Sequence, residues 1–151
     1  MKAILLLVAC FLLLSFALVN AEWNDWVFHG EGGNYSFFYN KTSIKTQPSK
    51  HIRVWQKSVA KDVTTFIEER RGRGLTVKGY ENYARSLTLW EIDCNKKQVG
   101  MVSTVDYDKD GNVLDMSDFE HIKMVHVAPD SIGESLCDAV CKGRKHNHKR
   151  E

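Results

Sequence analysis

The sequence predicts an α+β domain: an antiparallel meander of about six strands with a C-terminal helix packed on it. Three observations lead there. Residues 84–94 alternate like a half-buried strand, and a second strand-like run at 98–106 follows across Asn95-Lys96-Lys97. Lys109-Asp110-Gly111-Asn112 then carries Asp-Gly, a strong short-range hairpin signal. Residues 131–141 close the pattern, with Ser131 and Glu134 at capping-box spacing and an apolar stripe of Ile132, Leu136, Ala139 and Val140.

The remaining elements follow in chain order. Residues 25–29 and 35–39 read as strands flanking Gly30-Glu31-Gly32-Gly33, a turn rich in the residue that tolerates positive φ. In 51–57, Ile52, Val54 and Gln56 oppose Arg53, Trp55 and Lys57. Both sides carry apolar bulk, so this strand is expected to be covered on both faces. Residues 62–71 have Val63, Phe66 and Ile67 at helical spacing, Asp62 as N-cap and Arg70-Arg71 at the C-terminal end of the dipole. Gly72 and Gly74 stop that helix, and a loose connection runs through Gly79. In 84–94, Leu87, Leu89, Glu91 and Asp93 oppose Ser86, Thr88, Trp90, Ile92 and Cys94, and 122–127 reads as a last strand ended by Pro129.

The ends concern compartment. Lys2 followed by an apolar run from Ala3 to Val19, then Val19-Asn20-Ala21, predicts a signal peptide at 1–21 cleaved after Ala21. Leu7-Val8-Ala9-Cys10 has the order of a lipobox, but only about six apolar residues precede Cys10, which reads instead as part of the hydrophobic region. The mature chain, 22–151, suits one domain with one core and has no transmembrane segment. Its body at 22–141 is mildly acidic, whereas 142–151 is a basic tail with Lys142, Arg144, Lys145, Lys149 and Arg150. Those five side chains are candidate polyanion contacts. The tail lacks aromatics for stacking on bases, so no specific nucleic acid is expected.

Export permits disulfides, and three cysteines remain after cleavage: Cys94, Cys137 and Cys141. Cys137 and Cys141 share one helix at a spacing that strains a bridge, so Cys94 pairs with one of them. The loop closed exceeds roughly forty residues, a contribution on the order of 3–4 kcal/mol in the chain-entropy model.

Few motifs carry chemistry. Residues 106–113 place Asp106, Asp108 and Asp110 at loop positions 1, 3 and 5, with Gly111 at 6, like the first half of an EF-hand. Ser117 stands where the bidentate Glu belongs, so a polar hairpin turn with solvated carboxylates is expected, and calcium is the lesser alternative. The Glu68-Glu69 pair is placed on a helix surface. The six histidines form no HExxH, and no GxSxG, CxxC or CxxCH occurs. No enzyme and no cofactor are expected. Asn34-Tyr35-Ser36 and Asn40-Lys41-Thr42 match glycosylation sequons and read as chance occurrences.

The order of parts carries a resemblance. A Trp-rich opening strand leads to His51-Ile-Arg-Val-Trp55, then Ser86-Leu-Thr-Leu-Trp-Glu-Ile-Asp-Cys94. Tyr107-Asp-Lys-Asp-Gly111 and Pro129-Asp-Ser-Ile-Gly-Glu-Ser-Leu136, running to Val140-Cys141, complete it. Over residues 23–142 this resembles the bacterial surface-adhesin protein E family and its periplasmic relatives. The resemblance implies an antiparallel sheet with a C-terminal helix on it and a disulfide joining Cys94 to Cys141. It also implies self-association as a homodimer and a protein ligand of the extracellular-matrix kind. The chain departs from the family in lacking a convincing lipobox, in its extra Cys137 and in ending at Glu151 rather than at a C-terminal Lys.

The functional expectation is a non-enzymatic binding module exported to the periplasm or cell surface. It would contact proteins through its sheet or tail and present an exposed aromatic patch drawn from Trp23, Trp26 or Trp55. The alternative is a structural or stress-related periplasmic protein without an adhesive ligand, which would lack that patch.

Overall fold

The computed structural model describes residues 25–142. They form one antiparallel sheet and two α-helices. The strands are β1 (Trp26–Gly32), β2 (Tyr35–Asn40), β3 (Lys45–Thr46), β4 (Ile52–Ala60), β5 (Tyr83–Asp93), β6 (Gln98–Asp108), β7 (Val113–Asp118) and β8 (Val125–His126). The helices are α1 (Val63–Gly72) and α2 (Ile132–Cys141). Six strands lie in the order β1-β2-β4-β5-β6-β7, with β3 beside β4 and β8 beside β6. The meander and the C-terminal helix expected from the sequence are both present.

Both helix starts are built as their sequences require. Asp62 accepts from the backbone N–H groups of Thr64 and Thr65, and Ser131 from that of Glu134. The Glu134 carboxylate returns to the Asp130 N–H at 2.9 Å, closing the box one residue earlier than the ideal.

Both helices pack on one face of the sheet. Under α2, Leu136, Cys137 and Val140 meet Ile52, Val54, Ile92 and Val99. Leu136 is only 1% exposed, a burial that contributes about 2 kcal/mol. Under α1, Phe66 stacks against Tyr80 and Tyr83, both fully buried. The 3-10 turn Tyr80–Asn82 delivers this pair, so the supposedly loose connection through Gly79 ends in a second core. Burial pushes the Tyr83 hydroxyl up to about 12.

Several details differ from the sequence reading, each for a tertiary reason. Strand β1 runs through Gly30 and Gly32 rather than turning there, and Gly33 (φ +54°) alone takes the left-handed conformation. A Cβ at Gly30 would sit 3.1 Å from the Ile132 Cδ1 atom, and one at Gly32 would sit 3.2 Å from its Cγ1, so these glycines let α2 approach. The strand expected at 122–127 shrinks to Val125–His126 because Ile122 and Met124 cross over Gly100, where any Cβ would collide with them. Strand β4 has a helix over its Ile52-Val54-Gln56 side only. Cys137 joins the apolar stripe, and burial raises its thiol to about 11, so it is an inert core residue.

Candidate functional site

Two surfaces follow from the asymmetric placement of the helices. On the helix-bearing face, the β-ladders set side chains in rows across the strands. Ile52-Ile92-Val99 and Val54-Trp90-Met101 lie toward α2. The next two rows are polar: Gln56-Thr88-Thr104-Ser117, then Ser58-Ser86-Asp106-Asp115. Helix α1 lies beside the second of these rows, which Arg70 reaches. The polar rows form the floor of a groove of about 430 Å³, with Phe66, Arg70, Arg73 and Leu75 on one wall and Phe37, Met101 and Phe119 also lining it.

A charge network anchors the α1 side. The Arg70 guanidinium donates to Asp106 at 2.9 Å, to Asp115 at 2.9 Å and to the Thr76 carbonyl at 3.1 Å. It also lies 4.0 Å from the centre of the Tyr80 ring. Asp106 accepts in addition from the Tyr80 hydroxyl at 2.7 Å and from Ser86. Its three donors satisfy the carboxylate, so burial without water is tolerated. Burial, then the bond to Asp106, pushes the Tyr80 hydroxyl far above its usual range.

This overturns the reading of Asp106 as a solvated turn residue. It sits within a row facing α1, between Ser86 and Asp115, and is 8% exposed, and the turn proper begins at Asp108. Asp108 accepts from the N–H groups of Asp110 and Asn112 and from the Asn112 amide, each within 2.9 Å, which depresses its pKa. Residues 108–112 are therefore a capped hairpin turn, while the Asp106 carboxylate is engaged by Arg70. Among the described residues, no group of three His, Cys, Asp or Glu side chains is placed to hold a metal ion. Glu68 and Glu69 are exposed on α1, where Glu69 accepts from the Tyr35 hydroxyl.

A second polar chain links α2 to the sheet. The Trp90 indole N–H donates to the Gln56 amide oxygen at 2.9 Å, and the Gln56 nitrogen lies 3.0 Å from His29 Nε2. On the far side, His29 Nδ1 is 3.3 Å from the Ser135 hydroxyl, which itself donates to the His29 carbonyl. Every donor then has an acceptor only when His29 is neutral with its proton on Nδ1. Burial lowers the His29 pKa, in keeping with that assignment.

The opposite face has no helix. One row there crosses six strands: Phe28-Phe38-Lys57-Leu87-Val105-Met116. Phe28 is 54% exposed and Met116 is 61% exposed. Lys57 Nζ lies 4.7 Å from the Trp26 ring centre and 5.0 Å from that of Phe38. Trp55 and Leu89 follow in the adjacent row. At the margin, Glu91 accepts from His51 and from Arg53, each at 2.8 Å, and these bonds outweigh desolvation to lower its pKa. Trp26 and Trp55 lie on this face but are half-buried, so the exposed aromatic residue of the patch is Phe28; Trp23 lies outside the described residues.

The residues singled out from sequence fall in several places. Cys94 is bonded to Cys141, tying the end of β5 to the last residue of α2. Lys142 is exposed just past α2, whereas Arg144, Lys145, Lys149 and Arg150 lie outside the described residues, as do residues 1–24 with the expected signal peptide, and His146 and His148. Both sequon asparagines are occupied. Asn34 exchanges hydrogen bonds with the Asp62 backbone, and Asn40 accepts from the N–H groups of Thr42 and Ser43. The groove and the Arg70 network were not foreseen; the signal available was Ser86 and Thr88 at alternate positions of β5, with Thr104 and Asp106 at alternate positions of β6.

Among the described residues, no helix is long and apolar enough to cross a membrane. No curated protein matches the chain by sequence. Two crystal forms of Haemophilus influenzae protein E share the fold at 12% identity. One has a TM-score of 0.54, covering 79% of this chain and 88% of that one. The other has a TM-score of 0.51, covering 79% and 85%. The family model described as surface-adhesin protein E matches residues 26–142, almost the whole span of sheet and helices, and the chain therefore belongs to the surface-adhesin protein E family.

Proposed function

We propose that this chain is a non-enzymatic binding protein of the bacterial envelope that contacts other proteins through the helix-free face of its sheet. The supporting observation is the six-strand row from Phe28 to Met116. An apolar strip flanked by Trp26 and Trp55, with Lys57 the one charged residue in the row and Arg53 at its margin, has the composition of an interface core. Membership of an adhesin family favours a ligand of the extracellular-matrix type. The accompanying reading is export through a signal peptide at 1–21, a folded body at 22–141 and a basic tail at 142–151 that supplements binding to polyanionic surfaces.

The test uses the mature protein and a double variant, Phe28→Ser with Met116→Ser, against immobilised extracellular-matrix proteins by biolayer interferometry. Both side chains are more than half exposed, so the fold should survive. Loss of two such contacts should weaken binding by roughly tenfold or more. Absence of binding by the parent, or unchanged binding by the variant, refutes the proposal. A structural periplasmic protein without a ligand would give the first result.

A further inference from the structure

The helix-bearing face poses a separate question. A sheet face between two helices is ordinarily filled with apolar side chains. Here the two middle rows are polar; α1 reaches the second through Arg70, and neither helix packs on the Thr88-Thr104-Ser117 row. The chemistry of the groove is specific. Its carboxylates, Asp106 and Asp115, are both engaged by Arg70, so the floor offers no uncompensated charge to a cation or an anion. Apart from the exposed Arg73 on the wall, what remains is neutral hydroxyl chemistry. Thr88 and Thr104 touch only loosely, at 3.4 Å, so both hydroxyls keep donor and acceptor capacity. Ser117 extends the same row to the solvent side.

Beside these hydroxyls lie apolar surfaces, with Phe37 at one end and Met101 and Phe119 at the other. A ligand that fits must present both hydroxyls and C–H faces, carry no net charge, and be small enough for about 430 Å³. A pyranose ring has those properties. Its C–H face lies on an aromatic ring while its equatorial hydroxyls exchange hydrogen bonds along a polar row. An extended peptide suits the groove less well. Its backbone seeks a free strand edge, and the edges here are β1 and β7, on either side of the groove.

We propose that the groove is a binding site for a neutral saccharide of one or two rings, held by the Thr88-Thr104-Ser117 hydroxyl row with Phe37 as the stacking surface. The site opens on the helix-bearing face and shares only Met116, on the edge strand β7, with the protein-binding row.

The experiment is saturation-transfer difference NMR on the mature protein with glucose, galactose, mannose, N-acetylglucosamine and lactose, followed by titration with 15N-labelled protein. At least one sugar should bind with Kd near or below about 1 mM. Its shifts should map to β5, β6 and Phe37. Thr104→Val, which keeps shape and removes the hydroxyl, should weaken that sugar about tenfold. Ser117→Ala, at an exposed position, should weaken it severalfold without any question of folding. No transfer signal from any of the five sugars overturns the proposal. So do shifts confined to the helix-free face, or Ser117→Ala and Thr104→Val binding as the parent does. A Phe28→Ser single variant, which keeps the groove-lining Met116, should bind the sugar unchanged while weakening protein binding, which separates this outcome from that of the protein-binding test.

Discussion

Replacing Arg70 by Met tests the charge network most directly. The guanidinium side chain is 5% exposed and holds two carboxylates and one carbonyl. Methionine retains much of the aliphatic volume but leaves Asp106 buried, with only the Tyr80 and Ser86 hydroxyls as donors. Removing one partner of a buried pair costs about 3–5 kcal/mol, because the other charge is stranded. For a domain of this size the melting temperature should fall on the order of 10–20 °C. Urea unfolding followed by far-UV circular dichroism measures the loss. A second arm fixes the cause. Asp106→Asn should destabilise the parent, yet be neutral or stabilising in the Arg70→Met background, where it removes the stranded charge. A cost below about 1 kcal/mol for Arg70→Met, or equal effects of Asp106→Asn in both backgrounds, refutes the reasoning.

Two further outcomes are expected. The Cys94–Cys141 bond closes a sequence separation of 47 residues, so Cys94→Ala/Cys141→Ala should lose about 4 kcal/mol in urea unfolding, chiefly through a less constrained unfolded chain; a loss under about 1 kcal/mol would contradict it. Stability should also fall in two stages on acidification. His29 has a folded pKa lowered from 6.5, so the unfolded state binds the extra proton and stability declines as pH drops through that region. Glu91 and Asp108, whose folded pKa values lie below 4.5 and 3.8, withdraw their contributions only at lower pH. His29→Gln should flatten the first stage and leave the second; equal slopes for parent and variant between about pH 7 and 5.5 would refute the assignment.

What the sequence disclosed was local, and what it concealed was long-range. Asp62 and Ser131 cap helices because the acceptor and the N–H groups it serves are neighbours in the chain. The β5–β6 hairpin was likewise legible from alternation and a short connection. Asp106 was misjudged because its principal partner, Arg70, is 36 residues away, and an Asp among other Asp residues near a Gly has the local look of a turn. Gly30 and Gly32 suggested a turn for the same reason: the side chain that requires their smallness, Ile132, lies in another element. The groove escaped notice because each strand contributes only one or two hydroxyls to it. The rows appear once the register is known. Cys137 could have been placed in the core from its spacing to Leu136 and Val140 alone.

The bond from Cys94 to Cys141 also determines how the domain would bear load. Tension applied beyond residue 141 does not peel α2 from the sheet. It is delivered to the end of β5, a strand of eleven residues paired on both sides by β4 and β6. Tension applied ahead of residue 26 instead reaches β1, an edge strand with a single neighbour, whose hydrogen bonds can open one after another. The molecule is thus mechanically polar, strong when held from its C-terminal side and weak from its N-terminal side.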